Sequence, residues 1–180
     1  PEYASSMGKA VRKRANEMMD PVKLDQHERE TYLDLLAKSQ EQKIKENIEF
    51  HDKTANDYAA AHGEIFNDIE QERLSMALIE SLKAVKTGSE IFRALDYGCG
   101  SGNITKKLLN LNINVVAADV SSHFLALVLK QFPGKKLSTL KLNGKDLANV
   151  EADSFDFISV YSVLHHIPDY LAAIVELARV

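Results

Sequence analysis

Gly98, Gly100 and Gly102 stand at every second position immediately after the apolar run Ile91-Phe92-Arg93-Ala94-Leu95. Such a run, closed by glycines, reads as a buried strand that turns sharply into a helix. Glycine has no Cβ, so the backbone there can take positive φ and present its amides closely to a ligand. Asp96 lies at the tip of the same strand, where the cationic group of a ligand would meet it. The spacing excludes the dinucleotide fingerprint Gly-x-Gly-x-x-Gly, because Asn103 stands where its third glycine should be.

After Glu90 the pattern alternates strand and helix. Strands are expected over Ile91 to Leu95, Val115 to Ala118, Leu137 to Leu142 and Phe155 to Val163. Helices are expected over Asn103 to Leu109, after Ser121 through Phe124, Leu125 and Val128, and after Pro168-Asp169 through Leu171, Ile174 and Val175. Alternation of this kind predicts an α/β, Rossmann-like doubly wound sheet, mainly parallel, with helices on both faces. Ligands of such sheets bind outside the carboxyl ends of the strands.

Upstream, Asn67-x-x-Glu70 after Phe66 reads as a capped helix start, and Leu74, Leu78, Leu82 and Val85 continue along one face toward Lys86-Thr87-Gly88-Ser89. Residues 1–48 form a polar N-terminal helical extension, broken at Asp20-Pro21, with only a thin stripe of Leu33, Leu36, Ile44 and Ile48. Residues 49–180 hold the ligand-binding domain. The extension is a candidate arm, cap or self-association surface through its helices.

Composition narrows the function. Apolar and charged fractions of 45% and 27% over 180 residues are those of a soluble chain with one full core. The net charge of −4 argues against a dedicated nucleic-acid binder, and the basic patch Lys9 to Arg14 reads as a solvated helix face. No apolar run is long enough to span a membrane. The start at Pro1 is no signal peptide and reads as processed or trimmed. Cys99 is the only cysteine, so a reducing cytoplasm is the expected location.

Further chemistry sits at successive strand ends. Asp119 ends the second strand, where a carboxylate can accept bonds from vicinal ribose hydroxyls. Val120 follows it, and Ser121 is read as a helix cap. Asn143-Gly144-Lys145-Asp146 follows the third strand, and Tyr161-Ser162-Val163-Leu164-His165-His166-Ile167-Pro168 closes the fourth. Two adjacent histidines cannot both point the same way from a strand. No set of further ligands with metal-site spacing accompanies them.

The run Asp96-x-Gly98-x-Gly100-x-Gly102 resembles motif I of the S-adenosylmethionine-dependent methyltransferases with a Rossmann-like fold, small-molecule branch. The resemblance covers about Glu49 to Val180 and rests on four ordered motifs. It implies S-adenosyl-L-methionine as cofactor, S-adenosyl-L-homocysteine as product, and methyl transfer to a small-molecule acceptor. The residues that it places on the cofactor are Asp96, Gly98, Cys99, Gly100, Gly102, Asp119, Val120, Asn143, Gly144 and Ser162. Tyr58, in Phe50-His51-Asp52-Lys53-Thr54-Ala55-Asn56-Asp57-Tyr58, would fold over the methionine moiety. Cys99 would fit the loop as a small residue without acting as nucleophile. At the position of the family's Gly-Asp-Ala, Asn143 replaces the Asp and keeps a carbonyl acceptor for the adenine amino group. His165 is the candidate general base, and His166 is read as packing or capping.

The family continues with further strands where this chain reaches Arg179-Val180, so a longer protein is expected, or a missing part supplied in another way. Two competing classes are a cofactor-binding regulatory module without turnover and a nicotinamide-dependent oxidoreductase, the latter opposed by Asn103. The acidic balance disfavours RNA as target, and no Asn/Asp-Pro-Pro-Tyr-type tetrapeptide follows the fourth strand.

Overall fold

The computed structural model describes residues 26–55, 57, 62–85 and 92–180. Tyr58 and the basic patch at 9–14 lie outside the described residues. Three helices come first: α1 (Gln26–Thr54), the single turn α2 (Gly63–Phe66) and α3 (Asp68–Ala84). Strands and helices then alternate as β1 (Arg93–Tyr97), α4 (Asn103–Asn110), β2 (Asn114–Asp119), α5 (Ser122–Gln131), β3 (Leu137–Lys141), β4 (Phe157–Val160) and α6 (Tyr170–Arg179). Leu164–His166 forms a short 3-10 turn between β4 and α6.

The chain divides between Lys43 and Ile44. Residues 26–43 of the first unit are helical, and Leu33 and Leu36 of its thin stripe are exposed. The second unit, from Ile44, carries the sheet.

The four strands lie in the order β3-β2-β1-β4, and every pairing is parallel. β1 pairs with β2 on one side and β4 on the other, so the strand order reverses beside β1 and opens a crevice at its carboxyl end. Alternation sorts the side chains. Ala94 and Val115 meet Leu108 and Leu109 of α4 and Leu78 of α3 on one face. Leu95, Val116 and Ala118 pack on the other face with Leu177 of α6 and Leu142. Asp96 and Asp119 share the α4 face by the same two-residue period. Among the described residues no strand pairs with the outer edge of β4.

The helix starts follow the expected chemistry. Asn67 accepts from the Glu70 amide, Ser121 from the Phe124 amide and Asp169 from the Ala172 amide. Two strands differ from expectation. β1 begins later, at Arg93, and runs to Tyr97, since its pairing with β2 extends through Tyr97↔Ala118. β4 is shorter than Phe155 to Val163, because Ser162 takes φ +57 and leaves the extended region. Among the described residues no helix is long and apolar enough to cross a membrane.

Candidate functional site

The crevice at the switch point is a cleft of about 970 Å3 when its solvent-open mouth is included. Its floor is the turn after β1. There Gly98 has φ +75 and a Cβ would lie 2.2 Å from Val163 Cγ2, so only glycine fits. The Gly98 and Cys99 amides both donate to Ala118 O, at 2.7 and 2.9 Å, which ties the turn to β2. Gly102, with φ +87, stands as the N-cap of α4.

Asp119 completes that tie. Its Oδ2 accepts from the Gly100 amide at 2.9 Å and its Oδ1 from the Ser121 amide at 2.8 Å. Each oxygen keeps acceptor capacity for a ligand hydroxyl. Burial pushes its carboxyl upward, opposed by those two amides and by the charges of His51 and Lys141. The Lys141 ammonium also donates to Val120 O.

Asp96 is 2% exposed and receives bonds from two hydroxyls, Thr105 Oγ1 at 2.6 Å and Ser159 Oγ at 3.0 Å. Burial raises its pKa to about 6, against the pull of those hydroxyls, and the nearby Asp119 charge adds to the rise. Two partly desolvated carboxylates thus face one cleft, a setting that favours a ligand carrying positive charge and vicinal hydroxyls.

The remaining wall is mostly apolar. Leu142, Val163 and Ile167 come from the strand ends, and Ile65, Phe66 and Phe124 from the helices. Ile44, Asn47 and His51 of α1 also line the cleft. α1 is held there in part by Asp52, whose Oδ1 accepts from Ser121 Oγ at 2.5 Å and lies 3.3 Å from His123 Nδ1. The Ser121 bond, chiefly, holds the Asp52 carboxyl below its ordinary value. Gly144, at φ +77, lets this helix come close, since a Cβ there would lie 2.7 Å from Ile44 Cγ2.

Of the residues expected from the sequence, Asp96, Gly98, Cys99, Gly100, Asp119, Val120, Gly144 and Ser162 line this cleft together. Gly102 is buried behind it, facing Val128 and Phe132. Cys99 is buried, and burial pushes its thiol well above the ordinary range, which removes the thiolate.

Asn143 is placed differently. It is exposed and off the cleft wall, and its Oδ1 accepts from the amides of Lys145 and Asp146 at 2.7 and 3.0 Å. Its carbonyl is therefore spent on its own turn and is not offered to a ligand. His165 is likewise exposed and off the wall, whereas His166 lines the cleft. The 3-10 turn after Val163 rotates the pair, and so reverses the expected order of the two histidines.

Sequence reasoning missed Thr105, in the first turn of α4, and Ser159, whose signal was a hydroxyl toward the carboxyl end of the otherwise apolar β4. It also missed His51 and Tyr161. Tyr161 donates its hydroxyl to Glu70 Oε1 at 3.1 Å and joins α3 to the end of β4.

Part of the chain is similar to proteins of known family. Residues 95–180 match the family model described as Methyltransferase domain. The ubiquinone biosynthesis O-methyltransferase of Hahella chejuensis is 30% identical over 90 residues, 49% of this chain and 38% of that protein. Its counterpart from Xanthomonas axonopodis pv. citri is 31% identical over 84 residues, 46% of this chain and 35% of that protein. The matched region spans less than two fifths of either relative. A solved SAM-dependent methyltransferase from Leishmania major shares the fold, with TM-score 0.57 and 19% identity over 71% of this chain and 51% of that one. Residues 95–180 are thus similar to the Methyltransferase domain family, and the sheet that carries them has the fold of a solved SAM-dependent methyltransferase.

Proposed function

We infer that the cleft binds S-adenosylmethionine and that the protein transfers its methyl group to a hydroxyl oxygen of a small-molecule acceptor. The observation that carries this reading is the convergence of Asp96 and Asp119, on adjacent strand ends, around one glycine turn. The oxygen acceptor is suggested by the matched relatives, both O-methyltransferases. The apolar wall of Ile65, Phe66 and Ile167 suits a small, partly apolar acceptor. A reducing compartment such as the cytoplasm suits the lone buried thiol.

When bound, the cofactor supplies an activated methyl group on a sulfonium, so the chain has little covalent chemistry to do. Asp96 would hold the ammonium of the methionine portion, and Asp119, which fixes the glycine turn through the Gly100 amide, would accept from the ribose hydroxyls. Gly144 and Val120 would contact the adenine end of the cofactor, and Ser162 with Val163 would line the acceptor's side of the cleft. Ile44, Asn47 and His51 of α1 cover part of the cleft against water. Orientation and water exclusion of this kind are worth up to ~7–11 kcal/mol in favourable cases.

Calorimetric titration with S-adenosylhomocysteine tests the cofactor assignment, with Asp119→Ala as the probe of the ribose contact. Loss of two bonds to a charged group, at about 1.5–3 kcal/mol each, gives a weakening of at least ~100-fold. Unchanged affinity in the variant would remove Asp119 from the site. A panel of hydroxyl acceptors with labelled S-adenosylmethionine tests turnover; binding without turnover would favour a regulatory module.

A further inference from the structure

His51 and His166 are far apart in sequence, one near the end of α1 and one in the 3-10 turn after β4, yet both line the cleft. Their rings meet edge to face, with centroids 5.2 Å apart and planes at 88°. His51 also lies against Phe124, at 5.9 Å. His165 touches His166 at 3.9 Å but is off the wall.

We propose that His166 accepts the proton of the acceptor hydroxyl, with His51 as the positioning residue that holds its ring over the cleft. This inference rests on the O-methyl reading above.

Three observations favour it. His166 lines the cleft together with Ser162 and Val163, beyond the end of β4. His166 is exposed as well as on the wall, so a proton taken from inside can leave to solvent. His51, by contrast, is half-buried, and that burial suits a neutral support more than a carrier.

The charges around the pair agree with a neutral base near pH 7. Burial lowers His166, and the neighbouring His165 and His51 lower it further. Burial also lowers His51; Asp119 and Asp52 oppose that, while His62 and His165 reinforce it. A base whose conjugate acid is weakly held stays deprotonated and ready at neutral pH.

The step balances. The acceptor oxygen forms its bond to the methyl carbon as the carbon–sulfur electron pair returns to sulfur, which ends as a neutral thioether. The hydroxyl proton moves to a ring nitrogen of His166, which then carries the positive charge and releases the proton to water.

The test combines kinetics with a readout independent of turnover. Catechol and 4-nitrocatechol serve as hydroxyl probes, the second largely ionised at neutral pH without help from a base. His166→Gln should lower kcat for catechol by about 10²- to 10⁴-fold with KM little changed. It should cost much less for 4-nitrocatechol and leave S-adenosylhomocysteine affinity unchanged. Equal losses on both acceptors, a retained kcat, or a larger loss in His165→Gln would each overturn the assignment.

Imidazole NMR on the S-adenosylhomocysteine complex provides the second arm. The His166 titration should move upward in His51→Gln, because the ring that covers it is gone. An unmoved titration would remove the pairing. Failure of the wild-type protein to bind S-adenosylhomocysteine would instead strike the cofactor assignment. Intact binding with no transfer to any hydroxyl acceptor would strike the O-methyl reading, and this proposal with it.

Discussion

Replacing Asp96 by Asn should make the free protein more stable and the cofactor complex weaker. The carboxyl is 2% exposed and its pKa rises from an ordinary 3.8 to about 6. At about 1.4 kcal/mol for each pH unit between those values, keeping the group ionised at pH 7.5 costs ~3 kcal/mol. An amide removes that cost while keeping the geometry: its oxygen can accept from Thr105 Oγ1 and its nitrogen can donate to Ser159 Oγ. Imperfect bonds reduce the gain, so an increase of about 1–3 kcal/mol is expected at pH 7.5.

The sign follows from proton uptake. Between pH 3.8 and about 6 the folded protein holds the Asp96 proton more tightly than the unfolded chain. Its contribution to stability is therefore complete below ~4 and is lost as the pH rises through ~6. The Asn variant lacks this loss. Urea unfolding of the free protein at several pH values should show the variant's advantage growing from near zero at pH 4 to a plateau above about 6.5. S-adenosylhomocysteine affinity should fall by about 10- to 100-fold in the same variant, through the lost ammonium contact. A variant less stable than wild type at pH 7.5, or an advantage independent of pH, would refute the reasoning.

Cofactor affinity should itself strengthen as the pH rises from 5 toward 7, since an ammonium beside Asp96 favours the ionised carboxylate; calorimetry in two buffers should show proton release that vanishes above about pH 7. Gly98→Ala should destabilise the protein by about 1–3 kcal/mol, because the new methyl meets Val163 at 2.2 Å on a left-handed backbone; thermal unfolding measures it. Cys99 should resist iodoacetamide at pH 8 in the folded protein and react on unfolding, since burial keeps its thiol protonated; mass spectrometry of both states decides this.

Much of the cleft was legible in the sequence because its parts are local. A glycine turn follows from a strand tip and its spacing, and Asp119 from the end of an apolar run. Asn143 shows the limit of a positional argument. Its carbonyl has the right chemistry for an adenine amine, but the Asn-Gly-Lys-Asp segment closes on itself and uses both acceptor sites.

The sequence by itself therefore determined the alternation of strands and helices, the turn after β1, and the two acids at neighbouring strand ends. These depend on periods of two and 3.6 residues and on backbone freedom at single positions. Only the tertiary structure decided that Thr105 and Ser159 share the Asp96 carboxylate, that Ser121 fastens Asp52 of α1, and that His51 meets His166 in place of His165. Those contacts join segments separated by tens of residues, or by a turn whose rotation no periodicity reveals. They are set by how the helices pack on the sheet, and by which groups burial forces to find partners.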